Sequence, residues 1–493
     1  MAPIVYACIR QMFKLWTFVF YNTTELHGLD NVPNEGEATM VVFNHGNGLV
    51  DPALLIANTP RLIRFLAKDT LWTMWGVGML VKQSGAIPVF RPREHGAKAS
   101  EYNEEMYRAA FAALHRGECL AIAPEGVSRF AAGMAQPMKT GVARICMQAL
   151  DSKPGLRIKV LPVGLIYTHR EKFRSDVCMQ YGKPIVLDAS RLPPTHLSKD
   201  ERDKLLFAQA HHLTEEINTA LQALSLHAPD FVTLRRALTA TRVMLPLGTK
   251  QTLKEYTGQI RAWMGKLTPE TAAVAQCTAL DQYQHALDAR KIKDDRVRRF
   301  AFAEPSFASP LASVRHFAAA VGFGIIALPG CLAWSPMWIW LKHKEKLLLT
   351  NNGMTWNDSV AELKATRSWL VMVVVTLALR KPWRMAALWV WFGVTVRAYE
   401  EHVAALRSFY SHRRLSDLDM PAITELLRLR RLVIELLDEM ATADGIKAPT
   451  AAEAAATLVQ PLFLSTLFRR TRQKRDWNEI LRTEDHNTFE YVP

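Results

Sequence analysis

At 493 residues the chain exceeds a single domain of ordinary size, which leaves room for two to four structural units and excludes one small module. Apolar side chains make up 49% of it and Gly and Pro occur at ordinary frequency, so a disordered or collagen-like polymer is excluded. Lys and Arg outnumber Asp and Glu by 61 to 47, a net charge of +14 that suits anionic partners such as nucleic acid, anionic lipid or phosphorylated substrates.

Residues 4–21, IVYACIRQMFKLWTFVFY, are mostly apolar apart from Arg10, Gln11 and Lys14, and the two cations lie four apart on one helical face. The pattern predicts an interfacial helix within residues 1–24. Charges inside the apolar run and the lack of a small-residue cleavage site argue against a cleaved signal sequence. Over 25–190 the texture changes. Short aliphatic runs at Met40–Phe43, Ala86–Phe90, Cys119–Ala123, Lys159–Leu165 and Val177–Tyr181 alternate with helical patterns at Pro52–Ala57, Leu71–Val81, Ala97–His115 and Lys139–Leu150. Such alternation predicts an α/β domain with a central sheet, and strand-end loops are where such domains place their chemistry.

Ser190–Asp203, with Pro193 and Pro194, reads as a linker into a helical accessory domain over 191–310, broken at Pro246, Gly248 and Pro269. Within 311–400, Phe317–Leu341 carries no charged side chain. At roughly 1.5 Å per residue it is long enough to cross a hydrocarbon core of roughly 30 Å, with kinks expected at Pro329 and Pro336. Ser368–Leu379 and Met385–Val396 are each too short to span alone and are split by Arg380, Lys381, Pro382 and Arg384. Cations are costly at mid-bilayer, so a membrane-dipping hairpin is expected there, with two buried helices of a soluble core as the alternative. Trp334, Trp338, Trp340, Trp369, Trp383, Trp389 and Trp391 suit a headgroup interface. Residues 401–445 predict amphipathic helices, and 446–493 an Ala-rich and then basic tail. The six Cys never form a C-x-x-C pair, which leaves a disulfide framework or a zinc ribbon without support.

Four strand-end segments stand out. In Phe43-Asn44-His45-Gly46-Asn47-Gly48-Leu49-Val50-Asp51-Pro52 an apolar strand runs into a Gly-containing loop and a helix start. Asp51 before Pro52 fits a helix N-cap. It equally fits a carboxylate folded back onto His45, fixing the tautomer so that the other ring nitrogen accepts a substrate proton. Both roles stay open. Gly85–Arg91 is a strand ending in an arginine able to fork a phosphate, each charge-assisted contact being worth roughly 1.5–3 kcal/mol; its alternative is a solvated turn cation. Leu120–Arg129 runs an apolar strand into Pro124-Glu125-Gly126, where a buried Glu125 needs a cleft or a cation such as Arg91, and Lys139 near the next helix start offers a second phosphate contact. In Val160–Leu165, Pro162-Val163-Gly164 interrupts pairing and makes room for a chain or tail.

In this order the four segments resemble the four blocks of the glycerolipid acyltransferase superfamily, over roughly 25–190. The five residues between His45 and Asp51, against the usual four, and PEGVSRF…PMKTGVARI resemble the branch of fungal-type glycerol-3-phosphate/dihydroxyacetone-phosphate O-acyltransferases. Arg129 stands where that branch often has His. The long helical and hydrophobic extension also resembles that branch.

The resemblance implies an α/β acyltransferase domain with a central sheet, followed by a helical extension with membrane-associated hydrophobic helices. It implies acyl-CoA as co-substrate, with His45 as general base and Asp51 orienting it. Asn44, Arg91, Glu125, Gly126, Ser128 and Lys139 would lie on the side of a phosphorylated acceptor, and Pro162 on the acyl side. Acyl transfer from a thioester needs a base and oxyanion stabilisation but no metal or redox cofactor. Glycerol 3-phosphate or dihydroxyacetone phosphate is the acceptor expected, with a lysophospholipid such as lysophosphatidate as the alternative. An endoplasmic reticulum membrane location with a cytosolic catalytic domain follows from the same resemblance. A silent lipid-binding scaffold would not need all of His45, Asp51, Arg91 and Glu125. No helix-turn-helix, zinc or RNA-binding signature accompanies the charge, so a lipid bilayer and not nucleic acid is the anionic partner expected.

Overall fold

The computed structural model describes residues 3–74, 77–128, 131–169, 174–194, 196–246, 249–268, 274–303, 310–351, 381–441 and 475–476. They fall into two compact units, one ending at His227 and one beginning at Ala228.

In the first unit the strands are β1 (Thr23–His27), β2 (Thr39–Phe43), β3 (Ile63–Lys68), β4 (Ile87–Val89), β5 (Cys119–Ile122), β6 (Ile158–Tyr167), β7 (Asp176–Tyr181) and β8 (Ile185–Leu187). The helices are α1 (Pro3–Phe20), α2 (Val50–Asn58), α3 (Val77–Gln83), α4 (Pro92–His95), α5 (Lys98–His115), α6 (Gly141–Ser152) and α7 (Lys199–Leu224). The sheet runs in the order β1-β7-β6-β2-β5-β3-β4, and β8 also pairs with β6. β6, β2, β5, β3 and β4 are mutually parallel, whereas β7 and β8 run antiparallel to β6. The expected central sheet is therefore present, as a mixed one.

β2 sits in the middle with all five residues buried, which an uninterrupted apolar run between two parallel neighbours requires. Alternate side chains of the sheet, among them Met40, Val42, Leu120, Ile158 and Val160, pack against α5, α6 and α7. The buried residues of α2 take no part in that cluster, and α1 packs on α2.

Three strands had no counterpart in the sequence reading. β1 and β8 are short edge segments with polar or exposed positions, and β3 carries Arg64, which is drawn across to Glu118. The expected helix at Leu71–Val81 is divided into a 3-10 turn, Asp69–Thr73, and α3. Residues read as a linker after 190 give way to α7 at Lys199, started by a Ser198–Glu201 capping box. Ala210, Leu213, Ile217 and Leu221 of α7 complete the core on the sheet, which carries the first unit past the 190/191 boundary.

The second unit is helical. α8 (Phe231–Met244), α9 (Leu253–Lys266) and α10 (Val274–Ala289) are separated near the expected breaks, and a further break that the sequence reading lacked divides α10 from α11 (Asp294–Ala303). They enclose charge: buried Asp294 accepts from Tyr283 Oη at 2.7 Å and Arg430 Nε at 3.0 Å. Two long helices follow, α12 (Pro310–Asn351) and α13 (Pro382–Ser416), and then α14 (Met420–Ala441). α12 continues through both Pro329 and Pro336. α12 and α13 pack antiparallel, with Phe317 on Phe409, Trp334 on Phe392 and His402 Nδ1 2.7 Å from the Ala320 carbonyl. Met385–Val396 thus pairs with α12. The other half of the expected hairpin, Ser368–Leu379, lies outside the described residues, as does all of the tail but 475–476.

Gly164 of β6 shows how tightly α7 closes on the sheet. A Cβ at this position would stand 2.3 Å from the Leu224 carbonyl oxygen. That neighbour is backbone and cannot swing aside, so Gly164→Val should destabilise the first unit by about 1–3 kcal/mol, read as a lowered thermal unfolding midpoint.

Candidate active site

Parallel register brings three strand exits side by side. Val42 is level with Ile122 on β5, and Phe43 is level with Val163 on β6. The chain leaving β2 at Asn44 therefore meets the turn after β5 and the far end of β6. The Asn44 side chain fixes this edge: Leu165 N donates to its Oδ1 at 2.7 Å, and its Nδ2 donates to the Leu165 carbonyl at 2.9 Å. The amide stands in for one more rung of the sheet. The same device recurs at β4, where Asn103 Oδ1 accepts from Phe90 N at 3.0 Å and Nδ2 donates to the Phe90 carbonyl at 2.8 Å. That rung fixes the backbone that delivers Arg91.

His45 Nδ1 lies 3.0 Å from Asp51 Oδ2, and Asn47 N donates to the same oxygen at 2.8 Å. The Tyr167 hydroxyl donates to Asp51 Oδ1. Asp51 has no exposed surface, whereas the His45 side chain is 18% exposed. A carboxylate this deep needs hydrogen-bond donors, and here three groups from two segments supply them. α2 starts at Val50 with Leu49 at its cap, so Asp51 sits in the first turn and binds the loop before the helix. Asp51 is therefore not the N-cap that its place before Pro52 suggested, and its carboxylate serves His45 and the loop. With Asp51 accepting, Nδ1 carries the proton and chemistry toward a ligand falls to Nε2.

Glu125 accepts from His45 N at 2.6 Å and from Ala135 N at 2.7 Å. It ties the backbone of His45 to the loop before α6. Burial pushes its carboxyl up from the usual range, opposed by the two backbone bonds and by His45. The cation expected against Glu125 goes elsewhere: Arg91 Nη2 donates to the Gly126 carbonyl at 2.8 Å. Gly126 has φ of +71°, and a Cβ there would stand 2.6 Å from Lys139 Nζ. The positive φ of the turn asks for a residue without a side chain, and the lysine lies over the space this leaves. Arg91 and Lys139 converge on one turn, one residue beyond the carboxylate that holds His45.

Residues 23–166, from the start of β1 to the last residue but one of β6, match the Acyltransferase family model. These residues belong to the acyltransferase family. The chain is similar to glycerol-3-phosphate O-acyltransferase 2 of Saccharomyces cerevisiae, 27% identical over 290 residues, covering 56% of this chain and 37% of that protein. Similarity to glycerol-3-phosphate O-acyltransferase 1 of the same yeast is 26% over 306 residues, covering 60% and 38%. An uncharacterized acyltransferase of Schizosaccharomyces pombe is 30% identical over 145 residues, 29% of this chain and 20% of that protein. The chain thus spans little more than a third of the two Saccharomyces relatives and a fifth of the third. Among solved structures, the 1-acyl-sn-glycerophosphate acyltransferase PlsC of Thermotoga maritima is 19% identical, with a TM-score of 0.29, covering 43% of this chain and 79% of that one.

Within the acyltransferase domain the structure gathers Asn44, His45, Asp51, Arg91, Glu125, Gly126 and Lys139 at one sheet edge. Ser128 is half-buried in the same loop. Pro162 stands apart. It is level with Val42, its carbonyl accepts from Gly182 N at 2.8 Å, and β2 pairs straight through it. On its other side it falls between the β8 and β7 pairings, where no N–H is required of it. The space beside Gly164 and Gly182 is taken by Leu224 of α7 and not by a ligand. Asn44 and Glu125, expected on the acceptor side, use their polar atoms on backbone. Sequence reasoning missed Tyr167 and Asn47, and the register that carries β6 beyond Leu165 is what locates the tyrosine.

Glu125→Gln would turn an amide N–H toward one of two backbone N–H groups. It should cost about 1–3 kcal/mol and loosen His45. Thermal unfolding together with the lability of the His45 amide to hydrogen exchange would register both effects.

Proposed function

We propose that the chain is an acyl-CoA-dependent O-acyltransferase acting on glycerol 3-phosphate or dihydroxyacetone phosphate at a membrane. The observation that carries the reading is the His45–Asp51 pair set one turn away from two converging cations. The family of residues 23–166 and the activities for which the two Saccharomyces relatives are named support it.

In this reading His45 Nε2 removes the proton of an acceptor hydroxyl as the oxygen attacks the thioester carbonyl. The imidazolium, held by Asp51, then returns the proton as the thiolate of coenzyme A departs. Acceptor and donor meet directly, so no acyl-enzyme forms. Arg91 and Lys139 take the acceptor phosphate, and Ser128 borders it. An arginine already bound to one carbonyl keeps further donors of its planar fork for a phosphate.

α12 supports the membrane part. Ser313–Trp340, 28 residues, is long and apolar enough to cross a membrane, and only 17% of its most apolar stretch is buried. Ile325, Leu332, Ile339 and, on α13, Trp383 and Val390 are all exposed. Apolar surface of that extent is covered by lipid tails at less cost than by water. The endoplasmic reticulum, with the catalytic unit facing the cytosol, is the location proposed.

His45→Ala should abolish transfer of a radiolabelled acyl group while leaving the chain in the carbonate-resistant membrane fraction. Loss of both would assign His45 a folding role. Arg91→Lys should raise KM for the phosphorylated acceptor more than KM for acyl-CoA, since an ammonium lacks the planar fork; equal changes would contradict the phosphate assignment. Offering glycerol 3-phosphate, dihydroxyacetone phosphate and lysophosphatidate in parallel tests the acceptor, and a preference for lysophosphatidate would replace the reading.

A further inference from the structure

The proposed chemistry uses His45 and one oxygen of Asp51. The other oxygen, Oδ1, receives the hydroxyl of Tyr167, the last residue of β6. Tyr167 is itself held in place. Its ring lies 5.9 Å from that of Tyr21, which is 1% exposed and follows directly on α1. The Tyr21 carbonyl accepts from Arg174 Nη1 at 3.0 Å, and Arg174 N donates to the Phe20 carbonyl at 2.7 Å. The phenol thus approaches Asp51 from a strand end closed by the C-terminus of α1.

We propose that Tyr167 is a positioning residue for acyl transfer: by donating to Asp51 Oδ1 it fixes the plane of the carboxylate and shares its charge, and so sets how strongly Asp51 draws on the His45 ring. The inference rests on the reading of His45 as the base. Without the hydroxyl, Asp51 keeps two donors, His45 and Asn47, and two consequences follow. The carboxylate gains freedom about its terminal torsion, so the imidazole is less well aimed. Its charge also falls more heavily on His45, which favours the protonated ring, and a protonated ring cannot accept the acceptor's proton.

The titratable groups that act on Asp51 are His45 from the loop after β2, Glu125 from the turn after β5, Tyr21 from the end of α1, and Tyr167 itself. Burial and then the charge of Asp51 push the Tyr167 phenol well above its ordinary range, so it remains a protonated donor throughout the working range of pH. Tyr21 is pushed up likewise, chiefly by burial, and stays neutral. Removing the one hydroxyl therefore leaves the other charges in place.

The test is Tyr167→Phe in the full-length chain, which keeps the ring and its packing against Tyr21. The acidic limb of the kcat–pH profile should move up by about half to one pH unit, since a unit shift in the base corresponds to a tenfold change in its unprotonated fraction. At neutral pH kcat should fall several-fold with both KM values within about twofold. A second measurement does not depend on turnover: in chain labelled with 15N-histidine, the His45 ring, identified by its loss in His45→Gln, should titrate at higher pH in Tyr167→Phe. A pH profile and a His45 titration that both superimpose on the unsubstituted chain would overturn the proposal. So would an equal loss of kcat at every pH together with a lowered unfolding midpoint, which marks a packing role. If the unsubstituted chain transfers acyl groups to none of the acceptors, the functional reading fails, and the His45 titration alone decides for or against the coupling.

Discussion

A carboxylate shut away from water has to collect its donors from the protein, and most of the geometry of this sheet edge follows from how Asp51 does so. Its donors come from the loop after β2, from His45 in the same loop, and from the far end of β6. Each is held independently. Asn44 pins the loop to Leu165, two residues short of Tyr167, and Glu125 pins the backbone of His45 to Ala135. A side chain donating to a charged acceptor contributes more than a neutral pair, but only when its own backbone is already fixed. The sheet edge meets that condition with side-chain amides and one carboxylate in place of further strand pairing.

This arrangement also explains why chemistry-bearing residue types have structural duties here. Asn44 and Glu125 look like ligand contacts because they are polar and lie at strand ends beside a histidine. Once the strands are paired, their polar atoms face backbone groups that the sheet leaves unsatisfied at its edge. Buried N–H groups must find acceptors, so a strand-end polar residue is claimed first by the backbone and only afterwards by a ligand. Arg91 and Lys139 differ because each carries several donors: Arg91 gives one to the Gly126 carbonyl, and Lys139 lies over the same turn.

Much of this was legible in the residues. The four strand-end segments and the central sheet follow from local pattern, because short apolar runs ended by Gly or Pro leave few other folds; the pairing of His45 with Asp51 was one of two roles the residues left open, and the resemblance favoured it. Three kinds of feature were not legible. Edge strands such as β1 and β8 have no alternation of their own and exist because β7 and β6 offer a partner. The membership of α7 in the first unit depends on which face its Leu and Ile side chains find, something the helical period alone does not state. The misplacement of Pro162 has the same origin: proline suggests interrupted pairing, whereas its missing N–H falls where β8 ends and β7 has not begun.

The helical unit illustrates the limit of hydropathy as a guide. α12 reads as a span by length and composition, yet its partner is not matched to it along the whole length. The pairing of Trp334 with Phe392 and of Gly330 with Thr395 sets apolar against apolar or small groups. Two residues further along α13, Arg397 engages Glu400 and Glu401. Beyond them, His402 reaches the Ala320 carbonyl. The aromatic end of the pair carries its own cations, with Lys342 4.5 Å from the Trp338 ring and Arg384 5.3 Å from that of Trp383. A cation over an indole is the arrangement a headgroup boundary favours. Charges that neutralise one another within α13 lower the cost of lying beside an apolar helix. The two helices therefore carry different loads. α12 supplies exposed apolar surface between Phe317 and Trp340, while α13 adds Trp383 and Val390 and then changes along its length to ion pairs, a change that its average composition conceals.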